Sequence, residues 1–242
     1  MDAPPGPLGV LILDTRFPRV PGDAGYPGTF GVRVLYQRLP RATAVRVVRE
    51  GDAGLLDACR NAARDLVSRG AVAVTTTCGF LAPFQDRLAS AVDVPVLTSS
   101  LLLVPLIARM VGPGRAVGVL TIERRSLRPA HLAGAGAHPD VPVVVGGLDE
   151  VANGRFHRQI LEDETELDVA TARAEHREAA RRLVAAHPEV AAIVLECANM
   201  PPYRADVQGA SGRPVWDLTD LVRLVLAGVL PHRPVLAPPG PR

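Results

Sequence analysis

Short runs of consecutive apolar residues alternate along this chain with segments whose apolar residues recur every three or four positions. Residues 8–13 and 71–74 are runs of the first kind, and residues 53–69 and 80–91 carry the helical period. Beyond residue 140 the alternation resumes, with a strand near 141–145, a long helix between 163 and 186, a strand at 191–195 and a last helix at 217–230. Strands separated by helices predict parallel sheet covered by helices, the α/β class. The stripe Leu55, Leu56, Cys59, Ala62, Ala63 and Leu66 marks the core side of the first helix and assigns Cys59 to packing.

The pattern also repeats. Cys78 and Cys197 stand 119 positions apart, each just after an apolar run, and the same offset carries Pro83 onto Pro202, Phe84 onto Tyr203, Pro95 onto Pro214 and Leu102 onto Leu221. At an offset of 109, Gly9-Val10-Leu11 falls on Gly118-Val119-Leu120 and Asp14 on Glu123. Matches that share a register and an element order point to a duplicated unit. The expected architecture is two pseudo-symmetric halves, each a three-layer α/β/α unit with a parallel sheet, facing a shared cleft. The divisions are a flexible lead-in at 1–7, a first half at 8–112, a second half with its terminal helix at 113–230, and a Pro-rich, disordered tail at 231–242, with Gly112-Pro113-Gly114 as the crossover.

Composition narrows the chemistry. In 242 residues, 48% are hydrophobic and 21% charged, which makes a globular chain of one large or two small domains. All 27 basic residues are arginine, so Schiff-base lysine, a Walker-type phosphate lysine and a lysine base are excluded. A net charge of +2 and 4% aromatic residues argue against a nucleic-acid partner. No apolar stretch is long enough for a bilayer and no secretory signal opens the chain, so no membrane partner and a cytoplasmic location are expected, with the cysteines reduced. The histidines, among them His131, His157, His176 and His187, show no metal-ligand grouping and read as solvated residues, so no metal is expected. Gly22, Gly25 and Gly28 punctuate the Pro-rich segment 16–30, which lacks the dinucleotide spacing and reads as a mobile loop beside the cleft.

Ligands of open parallel sheets bind beyond the carboxyl ends of the strands, where Cys78 and Cys197 both fall. Each precedes a helix start, where free N–H groups lower a thiol pKa toward neutrality. Across one cleft with room for a substrate, two such thiols form a two-base racemase: one takes an α-proton as thiolate and the other returns a proton to the far face. No cofactor is required. Backbone N–H groups of Gly79, Phe80, Ala198 and Asn199, with Thr and Ser hydroxyls, are candidates to hold a substrate carboxylate. Thr77 is a better candidate than Thr75 or Thr76, which also suit a strand, although Thr76 stays in the substrate-binding set. Ser99 reads equally as a helix cap and a substrate contact. Asp14, at the end of the first strand, either caps a turn or faces the cleft, and is assigned to the cleft. Glu196 either orients a ligand ammonium, or raises the neighbouring thiol's pKa by like charge, or ends a strand in solvent. Arg124 either pairs a second carboxylate or is a solvated helix residue.

Four segments carry a resemblance: Gly9 to Thr15, Thr75-Thr76-Thr77-Cys78-Gly79-Phe80, Gly118-Val119-Leu120-Thr121, and Glu196-Cys197-Ala198-Asn199-Met200-Pro201. Together they resemble the cofactor-independent aspartate/glutamate and hydantoin racemase superfamily over nearly the whole chain. The resemblance implies Cys78 and Cys197 as acid/base thiols, Asp14, Thr77, Thr121 and Asn199 as a polar substrate shell, and a homodimer. Gly79-Phe80 and Ala198-Asn199 depart from members acting on amino acids and lie nearer the hydantoin style. The expected function is racemisation or epimerisation of a small carboxylate, an acidic amino acid foremost. The alternatives are a hydantoin racemase, a decarboxylase or cis-trans isomerase of the same superfamily, and a small-molecule binding protein without turnover.

Overall fold

The computed structural model describes residues 6–51 and 53–230. Two four-stranded parallel sheets form its frame. The first contains β1 (Leu8–Leu13), β2 (Val34–Leu39), β3 (Ala73–Thr76) and β4 (Val96–Leu97), in the order β2-β1-β3-β4. With them run α1 (Leu55–Ser68), α2 (Gln85–Ala89) and α3 (Val104–Val111). The second contains β5 (Ala116–Thr121), β6 (Val143–Gly147), β7 (Val190–Leu195) and β8 (Val215–Trp216), in the order β6-β5-β7-β8. Its helices are α4 (Pro129–Gly134), α5 (Arg155–Leu161), α6 (Val169–Ala186), α7 (Arg204–Ser211) and α8 (Leu218–Val229).

The repeat in the sequence is a repeat in hydrogen-bond register. Thr75 pairs with Leu97 and Val194 with Trp216, which is the same pairing 119 residues on. Gly9 pairs with Val74 and Gly118 with Ile193, so both offsets meet in one ladder. The matching strand glycines have one packing role. A Cβ at Gly9 would stand 3.1 Å from the Leu66 side chain, and one at Gly118 would stand 2.9 Å from that of Leu183. In each half a leucine of the covering helix therefore sits directly on the strand.

The α1 stripe is buried as the spacing predicts, with Cys59 wholly inside. Elsewhere local chemistry moves the boundaries. The helix expected over 80–91 starts as a tight 3₁₀ turn, Gly79–Phe84, and becomes α-helical only at Gln85. Pro83 has no N–H to donate to an α-helical ladder at that point. α6 begins at Val169 because the Asp168 side chain accepts the Thr171 N–H at 3.0 Å, and Asp217 caps α8 in the same way through Thr219.

The inner faces of the two sheets share one core. Leu8, Val10 and Ala73 of the first sheet and Val117, Val119, Ala192 and Val194 of the second belong to a single buried cluster with Leu101, Val104, Ile107, Leu218, Val222 and Leu226. The helices of that cluster are exchanged: α3, from the first half, packs on β5 and β7, and α8, from the second, packs on β3. The inner helical layer of each half is thus supplied by the other. The lead-in up to residue 5 and the tail from 231 lie outside the described residues.

A second contact between the halves places α4 on the 79–84 turn. A Cβ at Gly134 would lie 2.6 Å from the Ala82 carbonyl oxygen and 2.8 Å from the Pro83 Cα, both backbone atoms. Gly134→Ala is expected to lower stability by roughly 1–3 kcal/mol, because the turn must shift to admit the methyl group. A lower urea midpoint with unchanged slope checks this.

Candidate active site

The two sheets end at equivalent turns. Cys78 lies two residues beyond β3 and Cys197 two residues beyond β7. The Phe80 N–H reaches the Cys78 sulfur and the Asn199 N–H reaches that of Cys197, again a pair of contacts 119 residues apart. Thr76 sets the first turn, because its Oγ1 accepts the Cys78 N–H and donates to the Thr98 carbonyl at 2.8 Å.

Both cysteines line one cavity. Thr77, Gly79, Glu196, Asn199 and Arg19 share it with them, between apolar walls from Leu13 at the end of β1, Ile122 just after β5, and Phe17, Val48, Phe80 and Ile160. It is closed, with a volume of about 20 Å³, room for about one water. The space for a substrate expected from the sequence is therefore not open in this conformation, because the 16–30 segment and the elements bearing Val48 and Ile160 cover it. A far larger groove lies elsewhere, beside Arg109, Arg115 and His138 at the starts of β5 and β6.

The cover is tied down at several points. Asp163, in the left-handed region at φ 56°, accepts the Arg16 N–H at 2.6 Å and the Phe17 N–H at 3.2 Å. Ala24 N–H donates to the Ala198 carbonyl at 3.1 Å. Gly22, at φ 98°, lies against the Pro202 backbone, where a Cβ would stand 3.2 Å from Pro202 Cα. Arg19 stacks over the Phe17 ring, pairs with Asp23 at 3.0 Å and donates to Thr15 at 2.8 Å. Asp23 in turn accepts the Asn199 side-chain amide at 2.7 Å, and Asn199 Oδ1 accepts the Cys197 S–H at 3.4 Å. A polar chain runs from the cover to the second sulfur.

The expected lowering of the thiol pKa values is reversed. Burial pushes both thiols well above their ordinary value, Glu196 adds to the shift in each, and the N–H contacts offset only part of it. Glu196 is itself fully buried, which excludes the solvent-facing alternative. Burial raises its carboxyl to about 8, against the opposing hydrogen bond from Thr121. Three acidic protons therefore share one enclosed space, and the neutral forms prevail there at pH 7.

Not every candidate reaches the cavity. Thr77, Gly79 and Asn199 do. Asp14 does not: it is turned outward, where it accepts the Arg41 N–H and pairs with Arg38 at 3.0 Å. It caps the next turn, the alternative not chosen for it. Ser99 caps Leu101 N–H at 3.1 Å, Thr121 is spent on Glu196 at 2.8 Å, and Ala198 contributes its carbonyl to the cover. Arg124 pairs with Glu150 on the surface. The solvated reading of the histidines fails for three of them. His176 is wholly buried and stacked on Tyr203, His131 meets the edge of Phe80, and His157 Nε2 lies 3.1 Å from Glu123. Among the described residues no group of three or more His, Cys, Asp or Glu side chains is placed to hold a metal, and no helix is long and apolar enough to cross a membrane. Arg19, Asp23 and Phe17 were not singled out from the sequence. The signal available was the loop's glycine and proline content, which placed it at the cleft without saying which side chains enter.

Two mirrored α/β lobes with a cysteine at each inner strand end define the class of two-lobed, two-thiol α/β proteins. The chain belongs to the Asp/Glu/hydantoin racemase family, whose model matches residues 35–223. It is 29% identical over 225 residues to a dimethylsulfoniopropionate lyase of Durusdinium sp. clade D, covering 87% of this chain and 70% of that one. It is 28% identical over 241 residues to dimethylsulfoniopropionate lyase 7 of Emiliania huxleyi, covering 92% and 67%. Among solved structures, Picrophilus torridus aspartate racemase matches with a TM-score of 0.60 at 15% identity, covering 94% of this chain and 96% of that one. Arylmalonate decarboxylase matches with 0.58 at 19%, covering 94% and 96%.

Glu123, which falls on Asp14 in the repeat, has become a buried clasp behind the cavity wall. Arg49 Nη2 donates to it at 2.8 Å, and Ser126 and His157 complete the set. Burial alone would raise its carboxyl, but the hydrogen bonds from Arg49, Ser126 and His157 hold it down at about 2. A lowered pKa stabilises the fold above the ordinary carboxylate range and ceases to do so as the pH falls toward 2. Glu123→Gln is expected to cost roughly 1–2 kcal/mol at pH 7, the half-exposed Arg49 limiting the loss. The difference from wild type should shrink as the pH is lowered from about 4.5 toward 2, as followed by urea unfolding across that range.

Proposed function

We propose that this chain is an enzyme that removes a proton from the carbon next to the carboxylate of a small substrate enclosed between Cys78 and Cys197. The observation that carries this reading is that both cysteines line one closed cavity at the carboxyl ends of the two sheets. In this reading Arg19 binds the carboxylate. Two of its bonds go to Asp23 and Thr15, and a guanidinium has five N–H donors. Cys78 is the base. Cys197, whose S–H donates to Asn199, is the thiol that stays protonated. The high thiol pKa values make the thiolate scarce and strongly basic, so it forms by loss of a proton to solvent while the cover is displaced.

Among the described residues Arg19 is the one cation on the cavity wall, which is otherwise largely apolar. A dicarboxylate such as aspartate or glutamate would bring a second negative charge with no further cation there to meet it. A monocarboxylate whose other charge is a soft cation such as a sulfonium, which a neighbouring thiolate can balance, fits better. We therefore favour β-elimination of the dimethylsulfoniopropionate type, the substrate named for relatives at 28–29% identity. The α-proton moves to the Cys78 thiolate and its bonding pair moves onto the carboxylate as an enediolate; that pair then forms the new Cα=Cβ bond as the C–S bond breaks, releasing neutral dimethyl sulfide and acrylate. Racemisation of a monocarboxylate is the second reading, favoured by the equivalent placement of the two thiols.

Incubation with dimethylsulfoniopropionate in deuterated water distinguishes the two. Elimination predicts release of dimethyl sulfide, a loss of about 10²–10⁴ in kcat/KM for Cys78→Ser and a smaller loss for Cys197→Ser. Racemisation predicts α-deuterium without sulfide and equal losses in both variants. Undiminished turnover in both variants overturns the proposal.

A further inference from the structure

Glu196 has one satisfied oxygen and one that is not. Oε2 accepts the Thr121 hydroxyl at 2.8 Å, whereas Oε1 is fully buried with no hydrogen-bond partner among the described residues. A buried polar atom without a partner is costly, and a native site that keeps one normally uses it. The residue that bears it, Glu196, lines the cavity with both cysteines. Its position depends on Gly79, the residue after Cys78: any Cβ there would overlap Glu196 Oε1. The second strand end thus reaches across to occupy space that the first leaves empty.

We propose that Glu196 touches the substrate, its protonated Oε1 donating a hydrogen bond to the carboxylate and to the enediolate formed as the α-proton leaves. This rests on the carboxylate reading above. Because Oε2 already accepts from Thr121, the acid proton belongs on Oε1. The groups facing Glu196 are the Cys78 and Cys197 thiols, Thr121, the Ser99 hydroxyl beside Gly79, and Arg19 with its partner Asp23. None of these supplies a cation free of its own carboxylate, and burial keeps Glu196 neutral up to about pH 8. In the reacting step the Cα proton passes to the Cys78 sulfur and the C–H electron pair moves onto the carboxylate, which gains a negative charge. The Glu196 proton stays on Oε1 and its hydrogen bond strengthens. A neutral acid held in an apolar site is suited to that task, because it adds no repulsion to an anionic substrate.

Propionate, a carboxylate without a leaving group, is the binding probe, and α-proton exchange of propionate in deuterated water is measured separately. For wild type the propionate Kd is expected to rise above about pH 8, as Glu196 ionises beside the ligand. In Glu196→Gln the amide donates where Oε1 did and its oxygen still accepts from Thr121. Binding and exchange should then stay within about tenfold of wild type at pH 7, with the rise in Kd above pH 8 abolished. Glu196→Leu should lose about 10²–10³ in exchange rate, the cost of removing one donor to a developing oxyanion. Far- and near-ultraviolet circular dichroism of both variants establishes that they are folded. The inference is overturned if the Gln variant loses as much as the Leu variant, which would require an ionised carboxylate. It is also overturned if the Gln variant keeps the pH limb, or if wild type does not bind propionate. Normal binding effects at Glu196 with exchange unaffected by either cysteine substitution would instead overturn the thiol mechanism alone.

Discussion

Exchange of helices across the seam between the sheets governs this molecule. Neither sheet could bury its inner face with its own elements, since α3 of the first half lies on β5 and β7 and α8 of the second lies on β3. One apolar core, from Leu8 and Val10 through Val117 and Val194, therefore serves both halves. Interiors packed at crystal-like density deform little, so the two strand ends that carry the sulfurs are held in a fixed relation. The chemistry at the site inherits its geometry from that core.

The same closure sets the electrostatics. Taking carboxyl and thiol groups out of water favours their neutral forms, and here the effect exceeds the pull of the two N–H-bearing turns. The result differs from the ready thiolates that a helix start alone would give. Glu123 shows the opposite outcome a short distance away. Also nearly inaccessible, it stays ionised because Arg49, Ser126 and His157 converge on it. Burial alone does not decide protonation; the number of donors aimed at the charge does.

Much of this was legible in the residue order. The apolar runs located the strands, and the 119-residue echo of Cys78 in Cys197 located the two cysteines that share the cavity, because a duplicated chain repeats its ladder register as well as its composition. What escaped were properties set by contacts distant in sequence. Asp14 and Glu123 are equivalent by position, yet one meets Arg38 at the surface and the other is enclosed, and nothing local distinguishes them. Arg19 and Asp23 belong to a loop without periodicity, so their entry into the cavity depends on Asn199, 176 residues from Asp23. His176 carries a polar label inside an otherwise suitable helix, and its burial follows from Phe156 and Tyr203 arriving from other elements.

The cover over the cavity comes largely from one copy of the repeat, through the loop that joins Asp23 to Asn199. That loop gives the two sulfurs unlike surroundings: Cys197 leans on an amide, whereas Cys78 has a bare glycine beside it. A flat intermediate between them would consequently present two faces that are chemically distinct. The apparent mirror of the scaffold thus ends at its roof, where the loop sets one sulfur apart from the other.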